Sequence, residues 1–175
     1  MLSEVYSASA ISDRVKDIAA SINREYKDET ILHVIVTLNG SFMFAADLIR
    51  QIDVPIEVHF AGTASYSGRE KQDMRINPDA FPRSFGNAPV VIVEDIVDSG
   101  ATIKQLRTLL AERFASSIKI ASLLRRQSGN ANPDWYGFTI PQNLFVVGYG
   151  MDMDGRYREL PDIRAISAAT TSGMC

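Results

Sequence analysis

Val90-Val91-Ile92-Val93-Glu94-Asp95-Ile96-Val97-Asp98-Ser99-Gly100-Ala101-Thr102 runs from an apolar strand into three carboxylates and then into a small-residue loop that opens a helix. Val90 to Val93 has the β-branched content of a buried parallel strand. Thr102, Ile103, Leu106, Leu109, Leu110 and Phe114 keep helical spacing along one apolar face. Between strand and helix, the backbone N–H groups of Asp98, Ser99, Gly100, Ala101 and Thr102 and two hydroxyls can wrap a phosphate, helped by the positive end of the helix dipole. A bare anion needs no acids beside it. Glu94 and Asp95 repel phosphate, so they fit a ligand that also carries hydroxyls or a metal ion.

Working outward, apolar strands alternate with amphipathic helices through the first two-thirds of the chain, the pattern of βαβ units. Ile11, Val15, Ile18, Ala19 and Ile22 mark a first helix, with Ser9 as its N-cap. Ile31 to Thr37 reads as a strand, and Phe42, Ala45, Leu48, Ile49 and Ile52 mark a helix opening after Gly40. Strands follow near Glu57 to Ala64, at Val90, and near Ile118 to Leu124. A doubly wound parallel sheet is the predicted α/β architecture. Ligands on such sheets sit beyond the carboxyl ends of the strands, which places Asn39-Gly40 and Glu94 to Thr102 on one rim. The segment from Gly62 to Pro89 is polar and long for a connection, as a lid is. After Ala131, Pro133, Pro141 and short strand-like runs near Phe138 and from Phe145 to Gly150 predict an antiparallel subdomain over the rim. One domain spanning 1–175 is expected, with a core at about 5–130 and this subdomain at about 131–167.

Composition narrows the class. A hydrophobic fraction of 46% and a mean hydropathy of −0.03 describe an ordinary globular chain with no apolar run long enough for a bilayer. The segment Met1-Leu2-Ser3-Glu4-Val5-Tyr6 lacks a basic region followed by an apolar stretch, so no secretory signal is expected. The single Cys175 forms no intrachain disulfide and suits a reducing cytoplasm. A net charge of −3 argues against general nucleic-acid binding. His33 and His59, the only histidines, lie in strand-like runs and read as structural, with no histidine-based metal site or nucleophile triad expected. Neither G-x-x-x-x-G-K-S/T nor G-x-G-x-x-G is present, which removes the ATPase and dinucleotide readings.

The Glu94 to Thr102 string resembles the Glu-Asp-Ile-x-Asp-Ser/Thr-Gly-x-Thr motif with which type I phosphoribosyltransferases bind phosphoribosyl pyrophosphate (PRPP). Leu38-Asn39-Gly40-Ser41-Phe42, Ser65-Tyr66, Ala121 to Leu124, and Asn143 to Asp152 with Arg158 extend the likeness, toward the hypoxanthine-guanine members. The resemblance implies a type I phosphoribosyltransferase-like fold with a C-terminal hood and a long lid loop. It implies Mg²⁺-dependent transfer of phosphoribosyl from PRPP to a 6-oxopurine, giving the nucleotide and pyrophosphate in purine salvage. Glu94 and Asp95 would accept the ribose hydroxyls, directly or through magnesium. Ile96 and Val97 belong to the same motif, Ser99 to Thr102 would hold the 5′-phosphate, and Asp98 would exchange a proton with N7 of the purine. Partial burial beside Glu94 and Asp95 would raise its pKa; the plain alternative is a loop cap. Leu38, Asn39, Gly40 and Arg158 would hold pyrophosphate, and Ser65 and Tyr66 would close as a lid. Phe145 would stack on the base, Val146 read its edge through the backbone, and Asp152 lie near base and magnesium.

Two positions depart from the family pattern. Asn39 stands where lysine is usual and contributes no charge. Arg126, beside Arg125, stands where lysine usually donates to the six-position oxygen; arginine donates too and cannot accept, which favours 6-oxopurines over adenine. One arginine of the pair is expected to be a solvated charge. A homodimer or homotetramer is implied, with no nucleic-acid or membrane partner. Rival readings are a pyrimidine-type or regulatory, RNA-binding homologue, and a PRPP or nucleotide sensor without catalysis.

Overall fold

The computed structural model of the protein describes residues 1–62, 76–129 and 131–166. Its elements in order are β1 (Leu2–Tyr6), α1 (Ala8–Tyr26), β2 (Leu32–Leu38), α2 (Phe42–Ile49), β3 (Ile56–Gly62), a 3₁₀ turn (Pro78–Ala80), β4 (Val90–Val97), α3 (Ala101–Ala111), β5 (Ile118–Arg126), β6 (Trp135–Ile140), β7 (Val146–Val147) and β8 (Ile163–Ile166). The doubly wound expectation holds. Five strands pair in parallel in the order β3-β2-β4-β5-β6.

Strand alternation sends Val34, Val36, Val91 and Val93 to one face, where they pack with Ile11, Val15, Ile22, Phe44 and Leu48 of α1 and α2. Ile35, Val90 and Ile92 face the other way, against Ile103, Leu106 and Leu110 of α3. The connection after β2 runs toward β3 and the connection after β4 toward β5, so the strand order reverses at the β2/β4 boundary. Crevices at such a switch point are where open α/β sheets bind ligands. Leu38 and Val97 end β2 and β4 there.

Several boundaries differ from the sequence reading for identifiable reasons. Ser7, not Ser9, caps α1: its hydroxyl accepts from the Ala10 N–H at 3.3 Å. Strand β4 continues through the carboxylates to Val97 because Glu94, Ile96 and Val97 still pair with β5. Helix α3 ends at Ala111, and Phe114 lies beyond it in a left-handed conformation, 66% exposed rather than on the apolar face. Ile52 likewise falls outside α2. The strand around Phe138, expected in the antiparallel unit, is an edge strand of the parallel sheet. A separate three-stranded antiparallel sheet, ordered β1-β8-β7, recruits the amino-terminal strand instead.

Asp162 anchors this smaller sheet. It is buried, and the Nε–H of Arg164 donates to both of its carboxylate oxygens at 2.9 and 3.0 Å. That guanidinium holds the Asp162 carboxyl below the usual carboxylate range. Its carbonyl leaves no room for a side chain at Gly148, where a Cβ would lie 2.1 Å away. A depressed folded pKa contributes stability above the unfolded value that is lost as pH falls through the folded one. Asp162→Asn should therefore lower the denaturation midpoint at pH 7, and the gap from wild type should close in acid below the ordinary carboxylate pKa.

Candidate functional site

At the end of β4, Glu94 and Asp95 border one cavity at the β2/β4 boundary, their carboxyl groups hydrogen-bonded to each other. Glu94 sits beside Thr37 near the end of the neighbouring strand, and the Thr37 hydroxyl donates to the Val93 carbonyl at 2.9 Å. Burial, followed by the adjacent Asp95 charge, pushes the Glu94 carboxyl well above its ordinary value, with the nearby Thr37 hydroxyl acting in the opposite sense. A partly buried acid in this state gains from an incoming cation or hydroxyl donor. Asp95 turns toward Gly40, and its Oδ1 accepts from the Ile96 N–H at 2.7 Å. A Cβ at Gly40 would lie 1.7 Å from Asp95 Oδ2. Only glycine fits beside that carboxylate.

The loop after β4 turns tightly into α3. Gly100 has φ of 75° and caps α3, and the Ser99 hydroxyl accepts from the Ala101 N–H at 3.4 Å. A cavity of about 160 Å³ is lined by Glu94, Ile96, Val97, Asp98, Ser99, Gly100, Ala101, Thr102 and Ile103. A second, of about 320 Å³, is lined by Thr37, Leu38, Asn39, Gly40, Glu94, Asp95, Ile96 and Thr102. Glu94, Ile96 and Thr102 border both, so the two sequence motifs meet on one rim. The Leu38–Asn39 peptide bond is cis.

Asp98 is exposed, so the partial burial expected for it is not found; burial and like-charge coupling fall on Glu94 instead. Gln142 Nε2 donates to Asp98 Oδ1 at 3.2 Å, and Ser128 Oγ lies 3.1 Å from Gln142 Oε1. Gln142 was invisible in the sequence because nothing local distinguishes it. Thr37 was missed as well, although a polar residue near the carboxyl end of β2, beside the Glu94 strand, is a signal that could have found it.

The smaller sheet contributes the remaining groups. Phe145 is 50% exposed rather than a core ring, while Val146 beside it is buried and pairs with Ala165. Arg158 donates to the Gly150 carbonyl at 2.7 Å and pairs with Asp152 at 2.8 Å, so neither is a free surface charge. Gly150 backs directly on the rim, since a Cβ there would lie 2.3 Å from the Gly40 carbonyl oxygen. Asp152 is bonded to Arg158 and the Gly155 N–H, and is not gathered with Glu94 and Asp95 into one close ligand set. Arg126 donates to the carbonyls of Pro141 at 2.9 Å and Leu144 at 2.6 Å, placing it against the segment that carries Phe145. Arg125 is not simply solvated either: its guanidinium lies 3.9 Å from the Tyr136 ring centroid and bonds Thr139. Ser65 and Tyr66 lie outside the described residues.

Residues 1–154 match the phosphoribosyl transferase domain family. The hypoxanthine phosphoribosyltransferase of Escherichia coli is 41% identical over 159 residues, covering 87% of this chain and 88% of the relative. The hypoxanthine-guanine phosphoribosyltransferase of Dictyostelium discoideum is 36% identical over 165 residues, covering 90% and 91%. A crystal structure of a hypoxanthine-guanine phosphoribosyltransferase from Bacillus anthracis superposes with a TM-score of 0.78 at 31% identity, over 94% of this chain and 98% of that one.

Proposed function

The chain belongs to the phosphoribosyl transferase domain family, and from that premise we propose that its rim transfers phosphoribosyl from PRPP to N9 of a 6-oxopurine, hypoxanthine or guanine, in purine salvage. The observation that supports this reading is the shared border of the two cavities, where the Ser99 to Thr102 loop, two carboxylates and the Gly40 loop line one crevice. The backbone N–H groups of Ser99 to Thr102 hold the 5′-phosphate. Glu94 and Asp95 hold the ribose diol between those amides and the Leu38-Asn39-Gly40 loop, which receives pyrophosphate. Arg158, fixed by Asp152 and the Gly150 carbonyl beside this loop, supplies positive charge that Asn39 lacks. Half-exposed Phe145 offers a stacking face to the base, and Arg126 the donor for its six-position oxygen.

A hard divalent cation suits the donor set, because Glu94 and Asp95 offer only oxygen and sit partly buried side by side. Mg²⁺ would be held by these two carboxylates, with Asp152 near the base; it would neutralise charge on the leaving pyrophosphate. Asp98, on the exposed side of the loop and oriented by Gln142, takes and returns the purine N7 proton. Asn143 to Asp152 and the smaller sheet serve as the hood, and Ser65 and Tyr66 as the lid. Assembly as a homodimer or homotetramer is part of this proposal. Among the described residues no helix is long and apolar enough to cross a membrane, and we assign the enzyme to the cytoplasm.

The test is a spectrophotometric assay with PRPP and Mg²⁺, offering hypoxanthine, guanine, xanthine and adenine in turn. Nucleotide should form with hypoxanthine or guanine, and adenine should lag by at least about 10²-fold in kcat/KM, the scale for a mismatched polar contact. No product with any base would leave a non-catalytic PRPP sensor as the better reading.

A further inference from the structure

The register of β2 against β3 brings together three residues that the rim does not use. His33 lies opposite Glu57 and Ile35 opposite His59, so the side chains of His33, Glu57 and His59 emerge on the same face of the sheet. His33 Nδ1 is 3.1 Å from His59 Nε2 and 3.5 Å from Glu57 Oε2, and His59 Nε2 is 4.0 Å from Glu57 Oε2. From sequence alone both histidines read as structural, because nothing along the chain reveals that positions 26 apart are neighbours.

We propose that His33, Glu57 and His59 form a binding site for a zinc-class divalent transition-metal ion, distinct from the oxygen ligands of the rim. Tetrahedral coordination with bonds of about 2.0–2.2 Å spaces ligand atoms about 3.4 Å apart, and the three separations bracket that value. Two imidazoles with one carboxylate select zinc over magnesium, which prefers all-oxygen surroundings. The rings are also fixed in place. Phe85 packs edge-on to His33 and His59, with centroids 4.9 and 6.0 Å away, and Phe81 packs edge-on to His59. Glu57 closes the set from the solvent side, its side chain 56% exposed, leaving a fourth position to water.

Desolvation holds both histidines below their ordinary pKa, with the charge of His33 adding to the effect at His59 and Glu57 opposing it at both. At neutral pH the imidazoles therefore carry lone pairs, and the ring that now donates across the 3.1 Å contact need only adopt its other tautomer to ligate. The ion would tie edge strand β3 to β2 beneath Phe81 and Phe85, so its first effect is on stability. None of the three residues lines the rim cavities, and the inference stands apart from the catalytic reading.

Full-length protein stripped with chelator and held in excess Mg²⁺ is titrated with zinc chloride, while retained zinc is counted by elemental analysis and unfolding is followed thermally. Wild type should retain about one zinc per chain and gain about 5 °C or more at a hundredfold excess over its dissociation constant. Glu57→Gln, at a half-exposed position that leaves the fold intact, and His59→Gln should each bind zinc at least about tenfold more weakly and lose the thermal gain. Asp95→Asn should retain zinc as wild type does. The site is refuted if wild type retains none, if Glu57→Gln and His59→Gln bind as well as wild type, or if Asp95→Asn is the variant that loses the ion.

Discussion

Asp98→Asn should lower kcat by about 10²-fold or more, the scale for removing a general acid or base, while the KM for PRPP stays within a few-fold of wild type. The substitution is nearly isosteric. Asn retains an oxygen that can accept from Gln142 Nε2, so the loop keeps its shape. What it loses is the capacity to take up and return a proton. A structural role for Asp98, as a cap of the loop, predicts the opposite split: weaker PRPP binding and lower stability with turnover largely kept. The kcat-against-KM comparison therefore separates chemistry from scaffolding, and wild-type turnover would remove proton transfer at Asp98 from the mechanism.

Gly40→Ala should cost a comparable factor, through shape. The added methyl would occupy the position of the Asp95 carboxylate, 1.7 Å from Oδ2 and 2.7 Å from Cγ, so loop and carboxylate must part. Both belong to the crevice, and a displacement on the order of 1 Å at a reacting site costs about 10²-fold in kcat/KM. The same clash should destabilise the fold. In an Asp95→Ala background the nearest remaining atom is Asp95 Cβ at 3.5 Å, an ordinary contact. Most of the stability cost should then vanish, with a coupling of about 1–3 kcal/mol in a double-mutant cycle by chemical denaturation. Additive costs would mean that Gly40 is constrained by something other than Asp95.

The parallel core was legible because its strands are uninterrupted apolar runs and its helices repeat Ile and Leu at helical spacing, signals that survive burial on both faces. So was the convergence of Gly40 with Glu94 to Thr102, since a parallel sheet sends all its carboxyl ends to one rim. What escaped were pairings between distant segments. Leu2 to Tyr6 completes the smaller sheet with Ile163 to Ile166, and Trp135 to Ile140 joins the larger one; short strands state their partners nowhere in their own residues. Electrostatics escaped for the same reason. Glu94 is the acid pushed upward because β4 runs four residues past Val93 and carries Glu94 into partial burial beside Asp95. Gln142 reaches Asp98 across 44 residues of chain, and His33 meets His59 only through strand register.

The central claim is that an acidic pair grips a sugar while the neighbouring amides grip its phosphate, and a crystal structure with PRPP and Mg²⁺ bound tests it most directly. The account predicts the 5′-phosphate within hydrogen-bond distance of the Ser99 to Thr102 amides, the ribose hydroxyls on Glu94 and Asp95, and the pyrophosphate against Leu38 to Gly40. Electron density for the ligand anywhere else, or Glu94 and Asp95 turned away from it, would contradict the account.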